Sequence, residues 1–467
     1  MTMAARWGMT PLCALLLAAC AAPPRAPLDA QSTRDAFAAR RLESSLPELP
    51  PPATGWTQAQ WLAAALKLNP QLAEQRAAVA AAAAAQRSAG QLPNPNMQLF
   101  AEYLTAAAQS AAWLYGVSLD FLLREPGARS RARQQAALQS ALAESELSDA
   151  IWQVRAALRL ALLDAVAARD ESVELDALVS ARQALLRSDR TRLQLGDLAR
   201  PQLLSDELEL ARAEQRRREL SARQADAVAR LAAAVGVPAA ALSGVPLRWD
   251  DWAAIGSLTA SGAQRWRDEA LIGRTQIVHA LREYDLAELA LRAEVAKRWP
   301  QLHLTPAYAW GGGGVREVDT FSSIESESAV SVSFELPLFN QHQGEIGEAL
   351  ARRTAAGEHL KSVQAQIFSQ IDRAEAAWPA AHQGWTDSQH LAELSARTLQ
   401  SQQQALAAGA QERAAVVTAQ IAATEAQLTQ LEAAYSAQLA FGSLEDAYRR
   451  PLTEEARPSI APGQPQS

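Results

Sequence analysis

Cysteine is nearly absent from this sequence, and that excludes two kinds of protein. The chain of 467 residues has 2 cysteines, Cys13 and Cys20, both in its first twenty positions. Neither a disulfide framework nor a cysteine-built metal site can form in the remainder. Beyond those positions there is no run of about 18 apolar residues, so no spanning helix is expected in the mature chain. A strand of a membrane β-barrel needs no such run and stays open as a route into lipid. An excess of positive charge is missing as well. The net charge is −7, and phosphate binding leaves a basic footprint, so nucleic acid is not an expected partner. The sequence also lacks a nucleophile elbow, an HExxH helix and a P-loop glycine pattern. The 6 histidines, at 279, 303, 342, 359, 382 and 390, are scattered. His382 and His390 would lie two helical turns apart, too far to share one ion. No enzymatic activity, cofactor or resident metal is expected.

What is present begins with an address. MTMAARWGMTPLCALLLAAC has one arginine, Arg6, followed by a short apolar stretch ending in small residues, the layout of a secretory signal over positions 1–19. Its last four residues, LAAC, resemble the bacterial lipobox, which makes Cys20 the candidate for lipidation. Two acyl signals suffice for stable anchoring, since each buried CH₂ contributes about 0.8 kcal/mol. Positions 20–55 carry PPRAP and PELPPPATG and read as a proline-rich tether unable to pack regularly.

From Trp56 the pattern is helical, with Trp61, Leu62, Ala65, Leu66, Leu68 and Leu72 recurring at three and four, until LPNPN at 92–96 stops it. A run without proline or glycine then extends from about 129 to 190. At 1.5 Å per residue it reaches roughly 90 Å, and its charges keep it out of lipid. Gly196 and Pro201 mark a turn, after which a second helix runs to GVP at 236–238. The same plan recurs: a helix over about 263–297, two strand candidates, a long helix from about 344, a turn at AAGAQERAA, and a final helix to Tyr448. The strand-like YGVSLDFLL at 115 returns as VSVSFELPL at 330, and Gly196 returns as Gly409. The chain therefore reads as a tandem duplication. Its first repeat covers 56–237 (strands near 96–105 and 112–123, hairpin 128–235) and its second 263–450 (strands near 300–311 and 328–339, hairpin 343–448). An equatorial segment at 238–262 joins them, and a disordered tail at 451–467 follows.

The strands point to function. Trp113, Tyr115, Val117, Leu119 and Phe121 alternate with Leu114, Gly116, Ser118 and Asp120. Leu302, Leu304, Pro306, Tyr308 and Trp310 alternate with Gln301, His303, Thr305, Ala307 and Ala309, and Val330, Val332, Phe334, Leu336 and Leu338 with Ser331, Ser333, Glu335 and Pro337. Strands of nine or ten residues, apolar on one face and aromatic toward one end, suit a transmembrane barrel. Four strands cannot close one, so closure needs several chains: two copies give eight strands, three give twelve. Asp120 and Glu335 fall on the water face, and the loops 105–112 and 311–328 would be extracellular, with GGGG at 311–314 a flexible edge.

NPQL at 69, LPNPN at 92, RLQLGDL at 192, ELPLFNQHQGEIGEA at 335, AAGAQERAAVVTAQ at 407 and SLEDAYRRPL at 443 resemble, in order and spacing, the outer-membrane efflux proteins, the channel-tunnels of Gram-negative tripartite exporters. PLFNQHQGEIGEA is most similar to the lipidated channels of heavy-metal exporters of the resistance-nodulation-division class. The resemblance implies a mainly α fold with a small β part: a homotrimer with a 12-stranded outer-membrane β-barrel continued by a 12-helix periplasmic α-barrel, its equatorial segment forming a collar. It implies passive conduction of substrates, divalent cations by this likeness, from an inner-membrane transporter through a periplasmic adaptor. It also implies adaptor docking at the two turns, with Arg192, Leu195, Gly196, Asp197, Gly409, Ala410 and Arg413 as contacts. Drug-exporting members have aspartates early in the last hairpin helix, whereas AAVVTAQ at 414–420 has none. Glu412, Thr418 and Gln420 are left as gate candidates beside the barrel acids. Drug efflux and type I protein secretion share this architecture. A periplasmic coiled-coil adaptor lipoprotein would instead carry one hairpin inside a lipoyl-like β-domain.

Overall fold

The computed structural model describes residues 26–42, 55–104, 112–249, 252–253, 255, 260–311, 315–317, 320–322 and 326–452. The signal segment, Cys20, the glycines at 312–314 and the tail from 453 lie outside the described residues.

The tether is the first departure from expectation. Residues 28–46 contain neither proline nor glycine, and helix α1 forms there (Ala30–Ala38), with the Asp29 carboxylate accepting from Ser32 N–H at its N-cap. Just after it, Leu42 is buried, and Arg40 donates to the carbonyls of Leu68 and Gly236. This part of the tether is therefore fastened to the helical body.

The first repeat contains α2 (Gln58–Leu68), α3 (Pro70–Ser88), strands β1 (Asn96–Leu104) and β2 (Ala112–Leu123), and the hairpin of α4 (Ala128–Leu195) and α5 (Arg200–Val235). The second contains α6 (Ala260–Gly273), α7 (Thr275–Ala296), β3 (Leu302–Gly311), a small β4–β5 hairpin (Val315–Glu317, Thr320–Ser322), β6 (Ser326–Phe334), and the hairpin of α8 (Gln343–Ala407) and α9 (Arg413–Tyr448). Each opening helix that the periodicity draws as continuous is split in two. Asn69 leaves helical geometry, its side chain accepts from the N–H groups of Gln71 and Leu72, and Pro70 opens α3 where a missing N–H costs nothing. Arg274, also extended (ψ 136°), separates α6 from α7. Both side chains then reach the carbonyl one residue before the end of the returning helix: Asn69 to Ala234 (2.8 Å) and Arg274 to Ala447 (3.2 Å). The last carbonyls of α5 and α9 have no partner within their own helices, and these two side chains supply one.

The long helices, 68 residues in α4 and 65 in α8, extend about 100 Å at 1.5 Å per residue. α8 continues through Pro379, beside which Trp378 is buried against Phe441 (ring centroids 5.3 Å). Trp56, Trp61, Leu72, Leu158, Leu162, Leu231 and Trp252 form one core, and Ile277, Ile367, Ile371, Phe441, Leu444 and Tyr448 form its counterpart in the second repeat. Each large aliphatic or aromatic side chain so buried contributes about 1.5–3 kcal/mol. From the equatorial segment, Trp252 inserts into the first core, donates to Asp170 (2.8 Å) and accepts from Gln438 through its carbonyl.

The strands β1-β2-β3-β6 form one antiparallel sheet in that order. β6 corrects the expected strand at 328–339, because it starts at Ser326 and stops at Phe334. Its neighbour β3 begins at Leu302, paired with Phe334, and Pro337 has no N–H to continue a ladder. Leu336 and Leu338 are exposed beyond the strand end. Glu335 is likewise past that end, not on a strand face, which corrects its placement on the water side of a barrel.

Candidate membrane face and hairpin tips

The register puts most of the alternating apolar residues on one side of the sheet, Phe100, Leu114 and Leu122 excepted. Met97 faces Leu119, Leu99 faces Val117 and Tyr103 faces Trp113 across β1–β2. Val117 then faces Tyr308, Tyr115 faces Trp310, Phe121 faces Leu304, and Leu304 faces Val332. This side is uncovered: Met97, Leu99 and Val330 are 63%, 71% and 71% exposed. Tyr103, Trp113 and Tyr115 cluster at one end, with ring centroids 5.0 and 6.2 Å apart, and Tyr308 and Trp310 join them at that level. Strands of 9 to 12 residues tilted by about 40° span roughly 25 Å, the height of an outer-membrane apolar band. An aromatic cluster at one rim matches an interfacial girdle.

The opposite side holds Asn96, Gln98, Ser118, Asp120, His303, Thr305, Ser331 and Ser333. Two local causes shape it. Phe100 lies across Gly116, where an added Cβ would come within 2.2 Å of its ring. Pro306 interrupts the β2–β3 ladder, so that 119–120 and 305–306 carry no pairing while the register resumes at Phe121↔Leu304. At that gap Asp120 accepts from Thr305 (3.2 Å) and meets His303 Nδ1 at 3.0 Å. Asp120 thus sits on the polar face of the sheet. Its histidine partner is legible in the alternation only once the register is known.

About 100 Å away, the two hairpins end in the same turn. Gly196 (φ +84°) donates to Leu193 C=O and Asp197 N–H to Arg192 C=O; Gly409 (φ +71°) donates to Leu406 C=O and Ala410 N–H to Ala405 C=O. Both are Schellman caps, which need a residue in the left-handed region. Leu195 is 72% exposed, and among the described residues, its chain neighbours aside, nothing lies within 4 Å of a Cβ added at either glycine. Arg192 is tied to Asp189 (3.5 Å), and Asp197, Ala410 and Arg413 are exposed. Glu412 forms the N-cap of α9 without a side-chain cap bond, Thr418 bonds back to Ala414 C=O, and Gln420 is exposed. The five lumen or gate candidates are not brought together: Asp120 lies in the sheet, Glu335 at its end, and the other three near the second tip.

Arginine–carboxylate pairs zip the hairpins along their length. Arg190 pairs with Glu207 (3.2 Å), Arg230 with Asp164 (2.8 Å), and Arg182 reaches both Glu209 and Glu425. Where α9 returns to the body, Arg155 and Glu445 form a buried pair (3.4 Å), Arg159 joins Asp446 (2.9 Å), and Arg449 joins Asp149 (2.7 Å). Burial pushes the Asp189 carboxyl upward, Asp206 on α5 adds to it, and Arg192 opposes both. Burial and the hydrogen bond to Asp164 (2.6 Å) raise Tyr435 to about 12. Sequence reasoning missed these groups because they pair residues up to 300 positions apart, as Asp149 and Arg449 are. It also missed that His279 and His359, on α7 and α8, approach the two oxygens of Glu283 at 3.4 and 3.6 Å.

A family model described as outer membrane efflux protein matches residues 266–448, which is most of the second repeat. No curated protein matches the chain by sequence. Solved structures do match it. VceC, an outer membrane protein of Vibrio cholerae, superposes with a TM-score of 0.64 at 16% identity, covering 84% of this chain and 95% of its own. The CmeC outer membrane channel of Campylobacter jejuni gives 0.66 at 14% identity, over 92% and 93%. CusC, described for the changes that accompany transmembrane channel formation, gives 0.65 at 16%, over 92% and 99%. The chain has the fold of these outer-membrane channel proteins, and its residues 266–448 match the outer membrane efflux protein model.

Proposed function

We propose that this chain is one third of an exit duct in the outer membrane of a Gram-negative bacterium, anchored by a lipidated Cys20. The carrying observation is a four-stranded sheet with an uncovered apolar face, a polar face behind it and two unpaired edges, set at one end of helices about 100 Å long. A sheet edge left open in hydrocarbon costs several kcal/mol per unsatisfied group, so the sheet must close with other copies. Three copies give twelve strands, continued by twelve helices around a passage. Conduction is passive and not enzymatic. A periplasmic adaptor docks at the Gly196 and Gly409 turns and connects the duct to an inner-membrane transporter of the resistance-nodulation-division class. Divalent metal cations are the cargo, on the likeness of PLFNQHQGEIGEA to the heavy-metal exporters' channels. The adaptor-lipoprotein reading loses ground because the chain has two hairpins, and its one large sheet has an uncovered apolar face.

The test is export. A deletion strain is complemented with wild type or Cys20→Ala and challenged with Zn, Co, Cd, Cu and Ag beside dyes and antibiotics. Metal sensitivity restored by wild type supports the metal cargo. Sensitivity to dyes or antibiotics alone keeps the duct and discards that cargo, and cross-linking that finds only monomers in the outer membrane overturns the duct itself.

A further inference from the structure

A buried guanidinium without a counter-charge lies where α7 begins. Arg274 is 5% exposed, and among the described residues no carboxylate lies within ion-pair distance of it. Its Nη1 and Nη2 donate to two neutral acceptors, Ala447 C=O (3.2 Å) and Gln370 Oε1 (2.8 Å), and its buried Nε–H has no partner among the described residues. The acids nearby are engaged elsewhere: Asp446 holds Arg159 and accepts from Trp152 Nε1 (3.0 Å), and Asp149 holds Arg449. Burial, then the neighbouring Arg449, holds Arg274 down to about 10, while Asp149 and Asp446 pull the other way. A buried unpaired charge is among the costliest features a fold can keep.

The helix-capping role does not require that charge. In the first repeat the equivalent break residue is Asn69, and its neutral amide caps Ala234 C=O at 2.8 Å. What distinguishes the second repeat is the space beside the arginine. A cleft of about 530 Å³ is lined by Trp152, Arg274, Gln370, Arg373, Asp446 and Arg449. Arg449, paired with Asp149, keeps a buried Nε–H unpartnered among the described residues, and Arg373, exposed, donates to Ser369 C=O. Alanines from α4, α8 and α9 complete the wall. Three guanidinium groups around one cleft suit an oxyanion, and the indole and alanine wall suits an apolar body attached to it.

We infer that this cleft binds a small organic anion, its carboxylate or phosphate held by Arg274, Arg373 and Arg449 and its apolar part against Trp152. The site stands on this geometry whether or not the chain conducts.

The full chain, purified in detergent, is melted in increasing benzoate, phenyl phosphate or inorganic phosphate, with sodium chloride at matched ionic strength as the reference. The expected result is a Tm that rises with the logarithm of benzoate or phenyl phosphate concentration and exceeds the chloride reference. Arg274→Gln is expected to lose that rise and, without ligand, to melt no lower than wild type, because a neutral amide still caps and no unpaired charge stays buried. Arg373→Gln, at an exposed position, is expected to weaken the apparent affinity several-fold without changing the unliganded Tm. A rise confined to inorganic phosphate would overturn the organic ligand. A chloride-like response of wild type, or an unchanged response in both variants, would overturn the site.

Discussion

Replacing the tip glycines separates two roles that one residue can hold. At Gly196 and Gly409 the backbone has φ +84° and +71°, and any residue with a Cβ is strained there by about 1–2 kcal/mol. Added over both tips the cost is about 2–4 kcal/mol, against the 5–15 kcal/mol typical of a folded domain. The described residues leave the space open, since none beyond the chain neighbours lies within 4 Å of either added Cβ. Gly→Ala and Gly→Leu therefore carry nearly the same backbone strain and differ in the bulk they present on the outside of the turn. If an adaptor approaches the tips closely, the double alanine variant exports at close to wild-type level while the double leucine variant exports nothing, although both are inserted and oligomeric. Export is read as tolerance of a complemented deletion strain, and integrity as the oligomeric state and Tm of the purified protein. Equal export by the alanine and leucine variants would refute docking at the tips and leave the glycines as helix caps.

Glu445→Gln strands Arg155, its partner at 3.4 Å, as a buried charge, and is expected to cost about 3–5 kcal/mol, measured as a lowered midpoint of chemical denaturation; an unchanged midpoint would show that the pair contributes nothing. Asp189 takes up a proton more readily folded than unfolded, so its contribution is present at low pH and is lost as pH rises from the ordinary carboxylate range through its raised value. Asp189→Asn should accordingly flatten the fall in stability over that window and leave the variant the more stable at neutral pH, and a less stable Asn variant there would reverse the sign. Leu99→Arg, on the apolar face near mid-strand, is expected to cost about 2–4 kcal/mol of stability in lipid, whereas Gln98→Arg, one residue away on the polar face, should cost little. Equal effects of the two would discard the assignment of faces.

Periodicity made the repeats, the strand pairs and the turns legible, because each rests on local chemistry: alternation in Trp113 to Phe121, helix-forming residues through 129–190, glycine at each tip. It erred where tertiary partners decide. Asn69 and Arg274 break their helices so as to cap a chain segment more than 160 residues away, and no local signal announces this at Arg274. The strand through Leu336 and Leu338 has the right alternation but no partner on β3, which starts at Leu302. α1 formed inside a segment judged by its flanking prolines, although Asp29 and the proline-free stretch behind it were visible. The charged cluster around Glu445 joins α4 to α9 and appears in the sequence as isolated arginines and acids.

The duplication also accounts for how the sheet ends. β1 pairs with β2 and β3 with β6 inside their own repeats, while β2 pairs with β3 across them. That middle junction joins the second large strand of one repeat to the first of the next, antiparallel. The two free edges are β1, of 9 residues, and β6, also of 9: again a first strand and a last one, running in opposite directions within the sheet. In the proposed assembly, β6 of one copy beside β1 of the next makes a junction of the same kind as β2–β3. A head-to-tail contact of this sort forms a closed ring when its rotation closes, and the inward curl that strand twist and tilt impose on a sheet supplies the rotation. Each chain thus already contains one example of the contact proposed to join it to its neighbours. A disulfide introduced between the facing edges, for example Leu99→Cys on β1 with a cysteine scanned along 328–334 on β6, is expected to give covalent trimers at one register and none at adjacent positions; dimers only, or no cross-link at any position, would refute ring closure through these edges.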